Sequence, residues 1–195
     1  MRFEKEETMA TQDTSRPDRG HGPQAVLVTA ASAHGATAEI AEAIGKTLAE
    51  YGFAATVIPP GEVSDVDGYD AVILGSAVYT GHWLDAATDL VKRCRSGLAA
   101  RPVWLFSSGP VGEPTGKLAR AMANDPVDLP AIRAVTGARD HQMFAGKLDC
   151  RSMSMIQRAA LLAFPGLNGD FRDWDKIRQW ANGIAQQLAA VKARR

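Results

Sequence analysis

Apolar positions along the chain follow two rhythms, short β-prone runs and longer segments with an apolar residue every third or fourth place. The first run, Ala25-Val-Leu-Val-Thr-Ala-Ala31, closes on small residues through Thr37 and passes directly into a helical pattern. In that helix Ile40, Ala43, Ile44, Thr47, Leu48 and Tyr51 share a face, and Gly52 is a stop signal. Phe53 to Ile58 reads as a second strand ended by Pro59, Pro60 and Gly61. Asp70 to Gly75 is a third, buried strand, followed by the loop Gly75-Ser-Ala-Val-Tyr-Thr-Gly-His-Trp83 and a helix marked by Leu84, Ala87, Thr88, Val91 and Leu98. Pro102 to Ser107 is the fourth strand, with the loop Ser107-Ser-Gly-Pro-Val-Gly112 after it.

Beyond that point the rhythm weakens. Lys117 to Met122 reads as helical, Asn124 to Pro130 as a linker, and Ala131 to Thr136 has no decisive period. His141 to Gly146 supplies a final strand, and Ser152 to Phe164 a Met-, Ala- and Leu-rich helix stopped by Pro165-Gly166. The last helix runs from about Trp174 to Val191, with Ile177, Ala181, Ile184 and Leu188 on its apolar face. Alternation of strands and helices predicts one doubly wound α/β domain over residues 24–195, preceded by a disordered polar tail at 1–23 in which Met9 is an alternative start.

Composition narrows the function classes. The 195 residues hold 22 Lys plus Arg and 22 Asp plus Glu, which gives no electrostatic reason to expect nucleic acid as partner. No apolar run approaches the ~20 residues of a membrane span, and the first two dozen residues lack the apolar region of a secretory signal, so a cytoplasmic protein is expected. Cys94 and Cys150 are far apart and lie in no C-x-x-C or His-rich spacing, so neither a metal site nor a redox dithiol is expected.

Three strands end in small-residue loops, and in a parallel sheet those ends share one edge, where ligands bind. At the first, Ser32-Ala-His-Gly-Ala-Thr37, helix N–H groups and hydroxyls suit an anion; the alternative is a plain tight turn. One glycine between 29 and 37 argues against a G-x-G-x-x-G dinucleotide loop. A Walker A loop and a C-x5-R loop are also missing, and Gly75 and Ser76 stand where a phospho-receiver needs Asp. A phosphomonoester remains, with Tyr79 and Trp83 available either to cover a planar ring or to pack the loop. That description fits flavin mononucleotide, FMN.

Here the residues resemble the flavodoxin-like family, whose phosphate loop has the form [ST]-x-T-G-x-T. His34 stands at its second hydroxyl position, and Ala36 offers no polar contact. The resemblance implies a five-stranded parallel sheet in the order 2-1-3-4-5 with helices on both faces. It also implies that Ser32, Ala33, His34, Gly35, Ala36 and Thr37 enclose the FMN phosphate. Ser76, Ala77, Val78, Tyr79, Gly81 and Trp83, with Ser107, Ser108, Gly109 and Gly112, would then flank the isoalloxazine.

Val72 to Trp83, Phe144-Ala-Gly-Lys-Leu148 and Gly169-Asp-Phe-Arg-Asp-Trp-Asp175 look like flavodoxin-domain proteins similar to menaquinone-dependent protoporphyrinogen dehydrogenase. Those relatives imply an FMN-dependent oxidoreductase with a quinone or other small acceptor. They also imply an insertion near flavin and membrane. Met153, Met155, Ile156, Leu161, Leu162 and Phe164 would then touch substrate or a membrane surface through 151–164, or else complete the core or a homodimer contact. Arg151 and Arg158 would face anions or solvent.

A flavodoxin-type electron carrier and a flavodoxin-like interaction module without cofactor are the alternatives. The balanced charge and the absence of acid or aromatic side chains in Ser107 to Gly112 weigh against the carrier. No catalytic residue stands out, which suits chemistry performed by a cofactor.

Overall fold

The structure, a computed structural model, describes residues 24–109, 125–148 and 169–192. The expectations for the 1–23 tail, Gly112, Lys117–Met122, Cys150 and the segment 151–164 fall outside the described residues.

Five strands are long enough to order the sheet: β1 (Ala25–Ala31), β2 (Ala54–Val57), β3 (Ala71–Tyr79), β5 (Val103–Gly109) and β6 (Asp140–Ala145). They run parallel in the order β2-β1-β3-β5-β6, while the two-residue β4 (His82–Trp83) folds back antiparallel on the end of β3. This is the expected α/β flavodoxin-like order. A further antiparallel pair joins β7 (Lys147–Leu148) to β8 (Gly169–Asp170).

Both faces of the sheet are covered, which is why the strands read as continuous apolar runs. Val26, Val28, Ile73, Trp104 and Phe106 pack under α1 (Ala36–Glu50) and the last helix, α5 (Trp174–Lys192). Leu27, Val72, Leu74, Val103 and Leu105 face α2 (Asp85–Arg93), α3 (Arg95–Ala99) and α4 (Leu129–Thr136). The segment from Ala131 to Thr136, which has no decisive period, is part of α4. Pro130 sits in its first turn, Leu129, Ile132 and Thr136 are buried, and Gly137 at φ 60 stops it.

Two strands run further than their apolar cores suggest. β3 continues through Ser76, Ala77, Val78 and Tyr79, and β5 beyond Ser107 through Ser108 and Gly109, all of these added residues expected in loops. Pairing explains the extension. Ser76 and Ala77 lie opposite Ser107 and Ser108, whose other neighbours are Met143 and Phe144, so small residues inherit the ladder from both sides.

Gly75 is where the sheet makes room for the Phe106 ring. A Cβ there would lie 2.2 Å from the Phe106 ring, which also packs tilted against Phe144 and edge-on against Trp180 at centroid distances of 6.0 and 6.2 Å. Gly75→Ala should therefore force this aromatic cluster apart and cost about 1–3 kcal/mol. Urea unfolding would show a lower midpoint with unchanged slope, and an unaltered midpoint would refute the packing argument.

Candidate functional site

The turn between β1 and α1 leaves the start of its helix without a side-chain cap. Gly35 holds the N-cap position at φ 84, a left-handed conformation that disfavours side chains, and no side chain caps the helix. The first turn thus presents its N–H groups and the positive end of the dipole without an internal oxygen from a cap. Ser32 Oγ is buried beside this turn and has no hydrogen-bond partner, an omission costing about 1–3 kcal/mol if nothing else supplies one. Thr37 is buried in the same turn, Ala36 is half-buried, and Ala33, His34 and Gly35 are exposed.

Next along the edge stands the β3–β4 hairpin. Its central residues, Thr80 at φ 50 and Gly81 at φ 83, have the paired positive φ of a tight hairpin turn. Thr80 is the only non-glycine residue with positive φ among the described residues, and a β-branched side chain there carries strain of order 1–3 kcal/mol.

The surroundings hold it in place. Thr80 Oγ1 donates to Tyr79 O at 2.7 Å, Val127 N donates to Gly81 O at 2.9 Å, and Trp83 N donates to Asp128 Oδ2 at 2.9 Å. His82 Nδ1 faces the same carboxylate at 3.2 Å. So the stretch read as a linker fastens the hairpin. The Tyr79 ring is 42% exposed and faces the His34 ring at 6.4 Å, bringing the first two turns together. Partial burial raises the Tyr79 phenol pKa, so it remains a proton donor.

The aromatic pair expected to flank a ring divides in two. Trp83 is buried, and its Nε1 donates to Ser107 Oγ at 2.8 Å. It packs the loop, with Ala87 and Leu90 in the same cluster. Ser76 also turns inward: its hydroxyl donates to Ala77 O at 2.8 Å and accepts from Leu84 N at 2.9 Å. Ala77 and Ser108 are buried, whereas Val78 and Gly109 are half-buried and Gly81 is exposed. The structure thus brings the 32–37 turn, Tyr79, Gly81 and Gly109 to one edge and sends Ser76, Trp83 and Ser107 into the interior. Gly146 lets the ends of β5 and β6 meet, since a Cβ on it would come within 2.2 Å of Gly109 O.

Several participants escaped sequence reasoning. Thr80-Gly81 is a readable turn signal, but Asp128 and His141 act across 34 or more residues, and Asp125 reaches His141 from another element, so none leaves a local mark. Among the described residues no group of His, Cys, Asp and Glu could hold a metal ion, and no helix is long and apolar enough to cross a membrane.

A sequence model of the flavodoxin domain matches residues 27–164. No curated protein matches the chain. Among solved structures, the fold is similar to a flavodoxin from the domain Archaea at 15% identity and TM-score 0.56, covering 85% of this chain and 99% of that one. It is similar to the flavodoxin of Streptococcus pneumonia TIGR4 at 18% identity and TM-score 0.52, covering 85% and 98%. Similarity to the rubredoxin oxygen:oxidoreductase of Desulfovibrio gigas, at 14% identity and TM-score 0.55, covers 87% of this chain but 37% of that one. At such identities the likeness is one of fold.

Below the edge lies one titrating network. His141 is buried; its Nε2 is 2.8 Å from Ser107 Oγ and its Nδ1 3.6 Å from Asp125 Oδ1. An indole only donates, so Ser107 accepts from Trp83; with the imidazole proton on Nδ1, toward Asp125, the hydroxyl gives its own proton to Nε2. The Ser-His-Asp sequence is structural, because Ser107 is fully buried beneath the indole. Desolvation lowers the His141 pKa, assisted by Arg133 and opposed by Asp125 and Asp140.

The fold therefore favours neutral His141. Its contribution is complete above the unfolded value of 6.5 and is lost as pH falls below it, because the unfolded chain takes up the proton first. The unfolding free energy should decline as pH falls from about 6.5 toward the lowered folded value, and His141→Gln should flatten that decline. An equally steep decline in the variant would show that another group is responsible.

Proposed function

The chain belongs to the flavodoxin-domain family, and on that premise we propose that it binds FMN at the sheet's carboxyl edge and serves as an electron carrier. The observation that supports this most directly is the uncapped first turn of α1, with Gly35 left-handed and the buried Ser32 hydroxyl lacking a partner. These residues fit a phosphate monoester: Ser32 and Thr37 provide hydroxyls, and the turn from Ala33 through Ala36 provides backbone N–H groups. Bound there, FMN would supply one- and two-electron redox chemistry.

The protein's own part is to bind, orient and shield. Tyr79, with Gly81 and Gly109 at the same edge, offers an aromatic face and close backbone for a flat ring. Trp83, Ser107 and His141 buttress the edge from behind. The solved flavodoxins named above favour the carrier reading over the enzyme.

A second reading is an FMN-dependent dehydrogenase that passes electrons from a small substrate, in the manner of the protoporphyrinogen enzymes, to a quinone. One observation favours it: Gly169–Asp175, a segment of that resemblance, docks through Arg172 on the first turn of α1. One-electron steps in a reductive titration would support the carrier. Two-electron reduction followed by quinone reoxidation would support the dehydrogenase.

Apoprotein should quench FMN fluorescence on titration, and Thr37→Val should weaken binding by about 1 kcal/mol, roughly fivefold. Lack of any FMN binding by the wild-type chain would overturn both readings.

A further inference from the structure

Arg172 lies between β8 and α5, and its side chain is 3% exposed. A guanidinium buried to this degree is tolerated only where its donors are met. Nε donates to Asp170 Oδ1 at 2.8 Å and Nη2 to Asp170 Oδ2 at 2.6 Å, a two-pronged pair. Nη1 donates to Glu39 Oε2 at 2.7 Å and to Ala36 O at 3.3 Å. The guanidinium carbon stands 4.4 Å from the centre of the Trp174 ring. Asp170 holds the Arg172 charge in place and is itself kept below the usual carboxylate range, chiefly by the hydrogen bond from Arg172.

Ala36 and Glu39 form the first turn of α1, more than 130 residues earlier in the chain. The anchor at the other end is equally firm. Asp170 belongs to the β7–β8 pair, and Phe171 N donates to Gly146 O at 3.1 Å, just beyond β6. One side chain thus ties the far edge of the sheet to the turn after its first strand.

Its charge matters as much as its reach. Glu39 is the one acidic residue in the first turn of α1. A carboxylate there suits an empty helix but repels a phosphate dianion at the same end.

We propose that Arg172 is a positioning residue for the phosphate site: it fixes the first turn of α1 and offsets the charge of Glu39, so that the helix N-terminus accepts a phosphate monoester. The role rests on the FMN reading, and it acts through Ala36 and Glu39 without contact to the ligand. A purely structural arginine would change affinity for flavins with and without phosphate alike. A positioning arginine changes only the share contributed by the phosphate.

The test compares FMN and riboflavin dissociation constants for wild type, Arg172→Gln, Arg172→Lys and Glu39→Gln, with unfolding midpoints measured alongside. Arg172→Gln should lower the FMN-to-riboflavin preference about three- to tenfold and leave riboflavin affinity unchanged, with Arg172→Lys between it and wild type. Glu39 is half exposed, so Glu39→Gln decides the matter even if the arginine variants unfold; it should raise the preference. Wild-type preference in Glu39→Gln, or in a folded Arg172→Gln, overturns the role of Arg172 alone. Wild-type protein that binds neither flavin overturns the FMN reading and this role together.

Discussion

A parallel sheet buried on both faces constrains everything else in this molecule. Each connection must leave at the carboxyl edge, cross a face as helix or extended chain, and re-enter at the opposite edge. The turns after β1, β3 and β5 are consequently neighbours, because Ala31 lies opposite Ser76 and Ala77 opposite Ser108. Strand spacing of about 4.8 Å then brings three chemically similar turns within reach of one ligand. The site follows from the topology before any side chain is considered.

Side chains of one type diverge sharply at this edge. Ser76 and Ser107 spend their hydroxyls on Ala77 O, Leu84 N, Trp83 and His141, and so stiffen the strand ends. The Ser32 hydroxyl has no such outlet. Desolvation costs the same in each case, so the difference lies in what the neighbouring strand or helix can offer. A similar division separates Tyr79, whose ring is half in solvent, from Trp83, whose indole belongs to the core. The hairpin turn at Thr80 and Gly81 produces it, since reversing the chain there aims the two aromatics in different directions.

Long-range polar ties supply the rigidity that small-residue turns lack. Asp128 secures the hairpin from the start of α4, Arg172 secures α1 from the far side of the sheet, and His141 supports Ser107 from the edge strand. Each tie joins a turn to a different element. Loosening one turn would therefore disturb an element distant in sequence.

Local chemistry sufficed for much of this protein. Apolar runs bounded by Gly and Pro marked the long strands, the 3.6-residue period marked α1 and α5, and the small residues of Ser32–Thr37 marked a tight turn between β1 and α1, because burial and backbone reach leave direct traces in residue order. Tertiary structure alone decided where β3 and β5 stop, since Ser, Ala and Gly remain in a ladder only when both neighbouring strands continue beside them. It also decided which aromatic faces outward, that the Asp125–Pro130 stretch clamps a hairpin, and that Arg172 meets Glu39. Those outcomes depend on groups brought together from 24 to 133 residues apart, and no local pattern encodes a contact of that span.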